Sequence, residues 1–399
     1  METTPRVAAR FVSPSSVAAA FAQVPDPCRA ASVVYPLPAI LALAVAAMLA
    51  NHRSVLAIAE WGARQPAALL ATLGFGDGRT PCQSTLQRLF RQMDGDALST
   101  RLSACFAPGA APTPEERERQ GVAIDGKAQR GRLRFAGAHE PVVHALSAFC
   151  HDEGIVLAHE PIAAGADKAE AELTVAPALL DRIDWRGRVL TGDALFCQTA
   201  LCAQVLGAGG DYLLIVKENQ GALYRDIALL FDPPPIVPAA PLTDRRVAHT
   251  LESGHGRRLE RRELVASTDL NAYLEWPGVQ QVFRLERTWR EQGTPKRTLR
   301  YGITSLAAQE ADAAQVLTLR RGHWAIENRL HRHKDVNFGE DASLIHVGAG
   351  PTVMAELRDA ALNLLHHAGI RRVASCLRQH SQRPEQAVAL VVGPLSTGA

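Results

Sequence analysis

The chain has 399 residues, long enough for two or three domains with a substantial core. Apolar residues make up 47% and charged residues 21%, a balance that excludes a wholly disordered chain. Lys and Arg (43) nearly cancel Asp and Glu (41), so a uniformly basic, histone-like binder is excluded, whereas a protein whose charge is segregated along the chain is not.

The first 25 residues carry no periodic pattern and are expected to be loose. From Asp26 to about residue 110 the pattern is helical. Ala39–Ala50 is the longest apolar run, but its twelve residues fall short of the ~20 that span a bilayer. It also lacks the flanks of a signal peptide and is expected to be a buried helix. A helix opens at Gln83-Ser84-Thr85, with Leu86, Leu89 and Phe90 on one face and Gln87, Arg88 and Arg91 on the other. This is a candidate recognition helix, with Arg88 and Arg91 toward DNA; an all-helical packing or dimerisation domain is the alternative. Ala107–Gln120, with three prolines and then a charge run, reads as a linker.

Beyond it the period changes. Strand-like runs at 121–125, 142–149 and 155–162 are followed by a helix over 170–183, a strand at 188–192, a helix over 199–206 and an apolar strand at 212–216. That order predicts an α/β core, residues 121–231, with a mixed sheet. Five prolines between Phe231 and Pro241 predict a loop. Residues 232–306 are expected to form a β-rich insertion. The remainder, 307–399, is expected to be helical, with one long helix over 309–336 and another over 351–367. Seven cysteines, an odd number without a CxxC pair, suggest neither a disulfide framework nor a zinc ribbon and fit a reducing cytosol.

Asp125 and Asp193 each close an apolar strand, where open α/β sheets place ligands. Two carboxylates brought together repel unless a cation neutralises them, and a divalent ion is the obvious one. Glu327 is the third acid. It stands mid-helix in His323-Trp324-Ala325-Ile326-Glu327-Asn328-Arg329-Leu330-His331, and a carboxylate between a Trp and a Leu is expected to be partly buried. His323, Glu327 and His331 recur every four residues, so a zinc-binding face is conceivable, though the pattern is not HExxH.

These segments, with Ala123-Ile124-Asp125-Gly126-Lys127, Thr191-Gly192-Asp193-Ala194-Leu195-Phe196, Tyr212–Lys217, Tyr301–Leu306 and Asp335–Asp341, resemble insertion-sequence DDE transposases of the ISAs type, a family that includes H-repeat-associated proteins. The likeness runs from about Asp26 to Val392. It implies an RNase H-like catalytic core interrupted by an insertion. It also implies catalysis by Asp125, Asp193 and Glu327 with two Mg2+ ions, Mn2+ being the alternative. The expected chemistry is phosphodiester hydrolysis at element ends, then strand transfer into target DNA. The broader superfamily often carries a Tyr and an Arg upstream of the Glu. Arg320 and His323 stand there instead, while Lys334 keeps the place seven residues after it.

Lys127, Arg320, Arg321, His323, Asn328, His331 and Lys334 are expected to contact DNA beside the acids. Residues 241–334 hold 17 Lys/Arg against 11 Asp/Glu, and 111–240 hold 12 against 18. Arg257, Arg258 and their neighbours are therefore expected to meet phosphate, giving a strong salt dependence; a solvated sheet face tempered by Glu260, Glu286 and Glu291 is the alternative. The overall expectation is a cytoplasmic, nucleoid-associated protein that works on DNA as a homodimer, with no membrane association. Rival readings are a metal nuclease without strand transfer and an inactive, domesticated DNA-binding descendant. A two-carboxylate glycosidase is disfavoured by only five Trp and five Tyr and by the lack of an aromatic cluster around the acids.

Overall fold

The computed structural model describes residues 15–29, 33–106, 119–128, 144–162, 168–234, 242–254 and 258–395. The linker expected over 107–120 lies outside these except for its last two residues, as does most of the proline-rich loop.

Six helices come first: α1 (Val17–Phe21), α2 (Leu37–Leu49), α3 (Val55–Ala63), α4 (Ala67–Thr72), α5 (Gln83–Gln92) and α6 (Gly95–Phe106). Ser16 and Ser54 cap α1 and α3 by accepting from the third amide of each. Residues 15–25 depart from the loose segment expected over the first 25. Val17, Ala20 and Phe21 are fully buried, because α1 packs on α2 and α6. Helix α2 is apolar on every side and buried on every side, the pattern of a central helix.

The alternating segment follows as β1 (Gln120–Ala128), β2 (His144–Cys150), β3 (Val156–Ile162), α7 (Lys168–Asp181), β4 (Arg188–Gly192), α8 (Thr199–Gly207), β5 (Asp211–Val216) and α9 (Gly221–Phe231). The insertion adds β6 (Arg246–Gly254), β7 (Arg258–Ser267), β8 (Gln281–Glu291) and β9 (Thr294–Thr304). All nine strands form one mixed sheet in the order β3-β2-β1-β4-β5-β9-β8-β7-β6. The first five reproduce the RNase H-like arrangement: β1 is antiparallel to β2 and parallel to β4, which is parallel to β5. The insertion is joined to them because β9 pairs antiparallel with β5. Along β5, Tyr212, Leu214 and Val216 enter one apolar cluster and Leu213 and Ile215 another, so both faces of the sheet are covered.

The chain ends in α10 (Ala313–Gly322), α11 (Arg332–Val336), α12 (Gly350–His367), α13 (Val373–Gln382) and α14 (Pro384–Val392). A capping box between Asp312 and Gln315 starts α10. The single helix expected over 309–336 is interrupted: α10 ends at Gly322, a π-helical segment spans Ile326–His331, and α11 resumes. Such wide turns concentrate at functional sites. Helix α2 packs against α12 and α14, so the N-terminal and C-terminal helices share one core. Among the described residues, no helix is long and apolar enough to cross a membrane.

Candidate active site and nucleic-acid groove

Two neighbouring parallel strands bring the first two acids toward the same end of the sheet. Strand β1 pairs in parallel with β4 up to Ala123 opposite Thr191. Asp125 stands two residues further along β1, and Asp193 stands two residues beyond Thr191, just past the end of β4. Asp125 does not end its strand, as the apolar run suggested. Strand β1 continues to Ala128 because β2 still pairs with it there, while β4 has already turned away.

Glu327 and His331 approach from the π-helical segment, which packs against β1. Donor atoms of Asp125, Glu327 and His331 all lie within 4.8 Å of one another. His331 Nε2 is 3.2 Å from Asp125 Oδ2. Burial alone would raise the Asp125 carboxyl, but the His331 hydrogen bond and the nearby charge of His331 and His323 outweigh it and hold it below its ordinary value. Burial and the Asp125 charge push Glu327 up, against the pull of His331. Two carboxylates this close share a proton or a cation, and two oxygens with an imidazole nitrogen suit a divalent ion. The donor set fits a divalent cation, with His331 rather than Asp193 as the third donor.

Asp193 is the more open acid, its side chain 62% exposed, and its Oδ1 lies 3.9 Å from His323 Nε2. Behind it runs a buried polar chain. His323 Nδ1 is 3.2 Å from the Thr191 hydroxyl, which is 2.9 Å from His151 Nε2. Burial and Arg320 push His323 down to about 4, and burial pushes His151 down to about 3. Two glycines admit the His151 ring. A Cβ on Gly121 or Gly322 would fall 2.2 or 2.3 Å from its Nδ1. Nothing in the sequence marked His151 or Thr191, which lie 40 residues apart and meet only because β2 and β4 flank β1.

The other expected contacts divide. Arg320 is buried, with Nε and Nη1 unpartnered. Burial and Arg300 lower it to about 10 while Asp193 pulls it upward. It lines a groove of about 760 Å3 with Arg262, Arg287, Arg300, Arg321 and Asn328, and two tryptophans, Trp289 and Trp324, open onto the same groove. Trp324 is exposed rather than packed on Glu327, and Glu327 is itself largely open. Arg321 is ion-paired with Glu252, and Asn328 donates to the Trp324 carbonyl.

Lys334, expected at DNA, is instead buried in an ion-pair network. It is 2% exposed and held 3.0 Å from Asp359 and 3.5 Å from Glu340, because those buried carboxylates require a cation. Lys127 is likewise engaged, 2.6 Å from Asp335 and 3.3 Å from Asp341. Arg91 lines a separate groove between α5 and the 342–347 segment, with Gln83 and Gln87, and Arg88 lies on the opposite flank of α5 beside Asp26 and Cys28. Arg257 and the side chain of Arg258 lie outside the described residues.

An RNase H-like sheet with acids at the mouths of β1 and β4 and on a late helix defines a DDE-type nucleotidyl transferase fold. The Transposase DDE domain family matches residues 116–364, and the DDE_Tnp_1-associated family matches residues 18–105. The chain belongs to the DDE transposase family. It is 29% identical to "Putative transposase YncI" of Escherichia coli O157:H7, over 86% of this chain and 85% of that protein. It is 27% identical to "H repeat-associated putative transposase YhhI" of Escherichia coli (strain K12), over 88% and 91% respectively. A cryo-EM structure of the piggyBac transposase synaptic complex with hairpin DNA aligns over 95% of this chain and 81% of its own, at 10% identity and a TM-score of 0.41.

Proposed function

We propose that this chain cuts DNA at the ends of an insertion element and joins the freed 3′ hydroxyl to target DNA in the same site. Asp125, Asp193 and Glu327 hold two divalent ions, Mg2+ or Mn2+. When bound, such ions neutralise the scissile phosphate and ease deprotonation of the attacking oxygen. The observation that supports the reading is that β1 and β4 run parallel as neighbours, so Asp125 and Asp193 lie toward the same end of the sheet, with Glu327 meeting Asp125 from the facing helix.

The protein's own groups supply the rest. Arg320, buried, unpartnered and close to Asp193, is placed to hold a phosphate oxygen. The buried His323–Thr191–His151 chain fixes the wall behind Asp193, so that acid keeps its aim. The groove that runs from Asn328 to Trp289 follows the DNA strand outward, its arginines on phosphates. Joining two element ends calls for two protomers, so the working form is a homodimer on DNA.

The test uses full-length protein with Asp125→Asn, Asp193→Asn and Glu327→Gln. Each variant should bind element ends as the wild type does and lose both nicking of intact ends and joining of pre-cut ends. An Asp193→Asn protein that still nicks would sink the assignment. Loss of joining alone in all conditions, with cutting intact in the wild type, would favour the metal-nuclease reading.

A further inference from the structure

Among the described residues the three-donor cluster is not the carboxylate trio. It is Asp125, Glu327 and His331. We infer that His331 is a direct nitrogen ligand of the ion that Asp125 and Glu327 hold, making that centre a two-carboxylate, one-imidazole site that favours Mn2+ over Mg2+. This rests on the metal-dependent reading above and deepens it.

Three features of the fold support the assignment. His331 is 6% exposed, so its ring is held by packing rather than tethered loosely at the surface. Its Nε2 points at Asp125, while Nδ1 is buried without a hydrogen-bond partner. With the N–H on Nδ1, Nε2 turns a lone pair toward the Asp125 carboxylate, itself an acceptor, and a cation between them would satisfy both. The π-helical turn supplies the third feature. Glu327 and His331 are four apart on it, and both side chains reach the same atoms of β1.

The three donor atoms lie within 4.8 Å of one another, against the about 4.4 Å that can separate two ligands of one ion at about 2.0–2.2 Å, so binding would draw them slightly together. Asp193 stays outside the cluster, near His323, and falls to the second ion. Imidazole is a poor partner for Mg2+, which prefers oxygen and retains water, and a good one for later first-row ions. The competing role for His331 is that of a hydrogen-bond donor that merely orients Asp125.

Pulsed EPR on the full-length protein with Mn2+ as the probe separates the two roles. Wild-type protein should show electron-spin-echo modulation from directly bound nitrogen, altered when histidine is 15N-labelled, a readout that needs no variant. The modulation should survive in His323→Gln and vanish in His331→Gln. In His331→Gln the Mn2+ affinity should fall ~10-fold or more, the least that loss of even an outer partner costs, and Mg2+ affinity should fall less. Mn2+ bound through Asp125 without nitrogen modulation, or modulation that persists in His331→Gln, overturns the inference and leaves the metal-dependent reading standing. No Mn2+ binding that Asp125→Asn abolishes overturns both.

Discussion

Lys127 and Asp335, 208 residues apart in the chain, meet at 2.6 Å. Lys127 stands two residues beyond Asp125 on β1, and Asp335 stands four beyond His331 on α11. The ion pair therefore ties the strand that carries one acid to the helix that carries the other. Asp341 at 3.3 Å and Glu340 at 3.7 Å complete the tie. Lys127→Met should leave the fold intact and let the two elements drift. Cutting should drop ~10- to 100-fold, the range typical of groups that orient metal ligands, with the KM for DNA nearly unchanged. A rise in KM with kcat preserved would instead return Lys127 to a phosphate, as its place in the sequence suggested.

Lys334 makes a prediction of the opposite kind. It shares a buried network with Asp359, Glu340 and Arg358. Burial alone would lower its pKa, but the Asp359 and Glu340 charges outweigh this and raise it. Lys334→Met takes the lysine from buried Asp359 and leaves Glu340 to Arg358 and Lys127, and breaking a buried pair costs about 3–5 kcal/mol. Urea unfolding should show that loss, whereas the salt dependence of DNA binding should not change. Unaltered stability with a shallower salt slope would place the ammonium at the DNA after all.

The succession of strands and helices along the core was legible because β1, β4 and β5 are short apolar runs bounded by turn residues, and two of them end close to acids, while the RNase H-like arrangement followed from the family resemblance. Glu327 stood out by its neighbours on one helix face. What periodicity could not reveal was the break in that helix. The spacing of His323, Glu327 and His331 suggested a possible metal-binding face, but a pattern that counts every fourth residue alike, whether the turn is α or π, could not pair His331 with Asp125. Lys334 misled for a related reason. Its spacing from Glu327 fixes a helix face, but the buried Asp359 and Glu340 that claim it come from other parts of the chain. Helices α2 to α6 lay in the stretch read as helical, whereas α1 did not. Their shared core with α12 and α14 was not legible, because pairing between segments so far apart leaves no local trace.

The basic groove predicts a measurable salt slope. Arg300 lies on β9 and lines the groove near Arg320. Arg300→Ala should lower the slope of log K against log salt by ~1, the effect of one lost phosphate contact. Arg186, 72% exposed and paired with Asp184 at the other end of β4, serves as the control, and Arg186→Ala should leave the slope alone. Equal effects from both substitutions would mean that DNA is held by diffuse charge rather than by the groove.

Glu356 on α12 predicts how stability responds to pH. It is 4% exposed, its Oε1 has no hydrogen-bond partner, and burial together with the nearby Asp359 charge pushes its carboxyl from the ordinary 4.5 up to about 8. The folded protein therefore keeps a proton that the unfolded chain releases between those values. That contribution is fully present below about 4.5 and is lost as pH rises through about 8. Glu356→Gln mimics the protonated form and should remove the dependence. The variant should match the wild type near pH 5 and exceed it near pH 9 by on the order of 5 kcal/mol, since each tenfold change in the proton's binding constant is worth about 1.4 kcal/mol. Comparing the two proteins at each pH cancels other titrating groups, such as the buried His151, whose lowered pKa acts in the opposite direction. A constant difference between them from pH 5 to 9 would mean that Glu356 is ionised in the folded protein, with its charge compensated by Arg182 and Lys334.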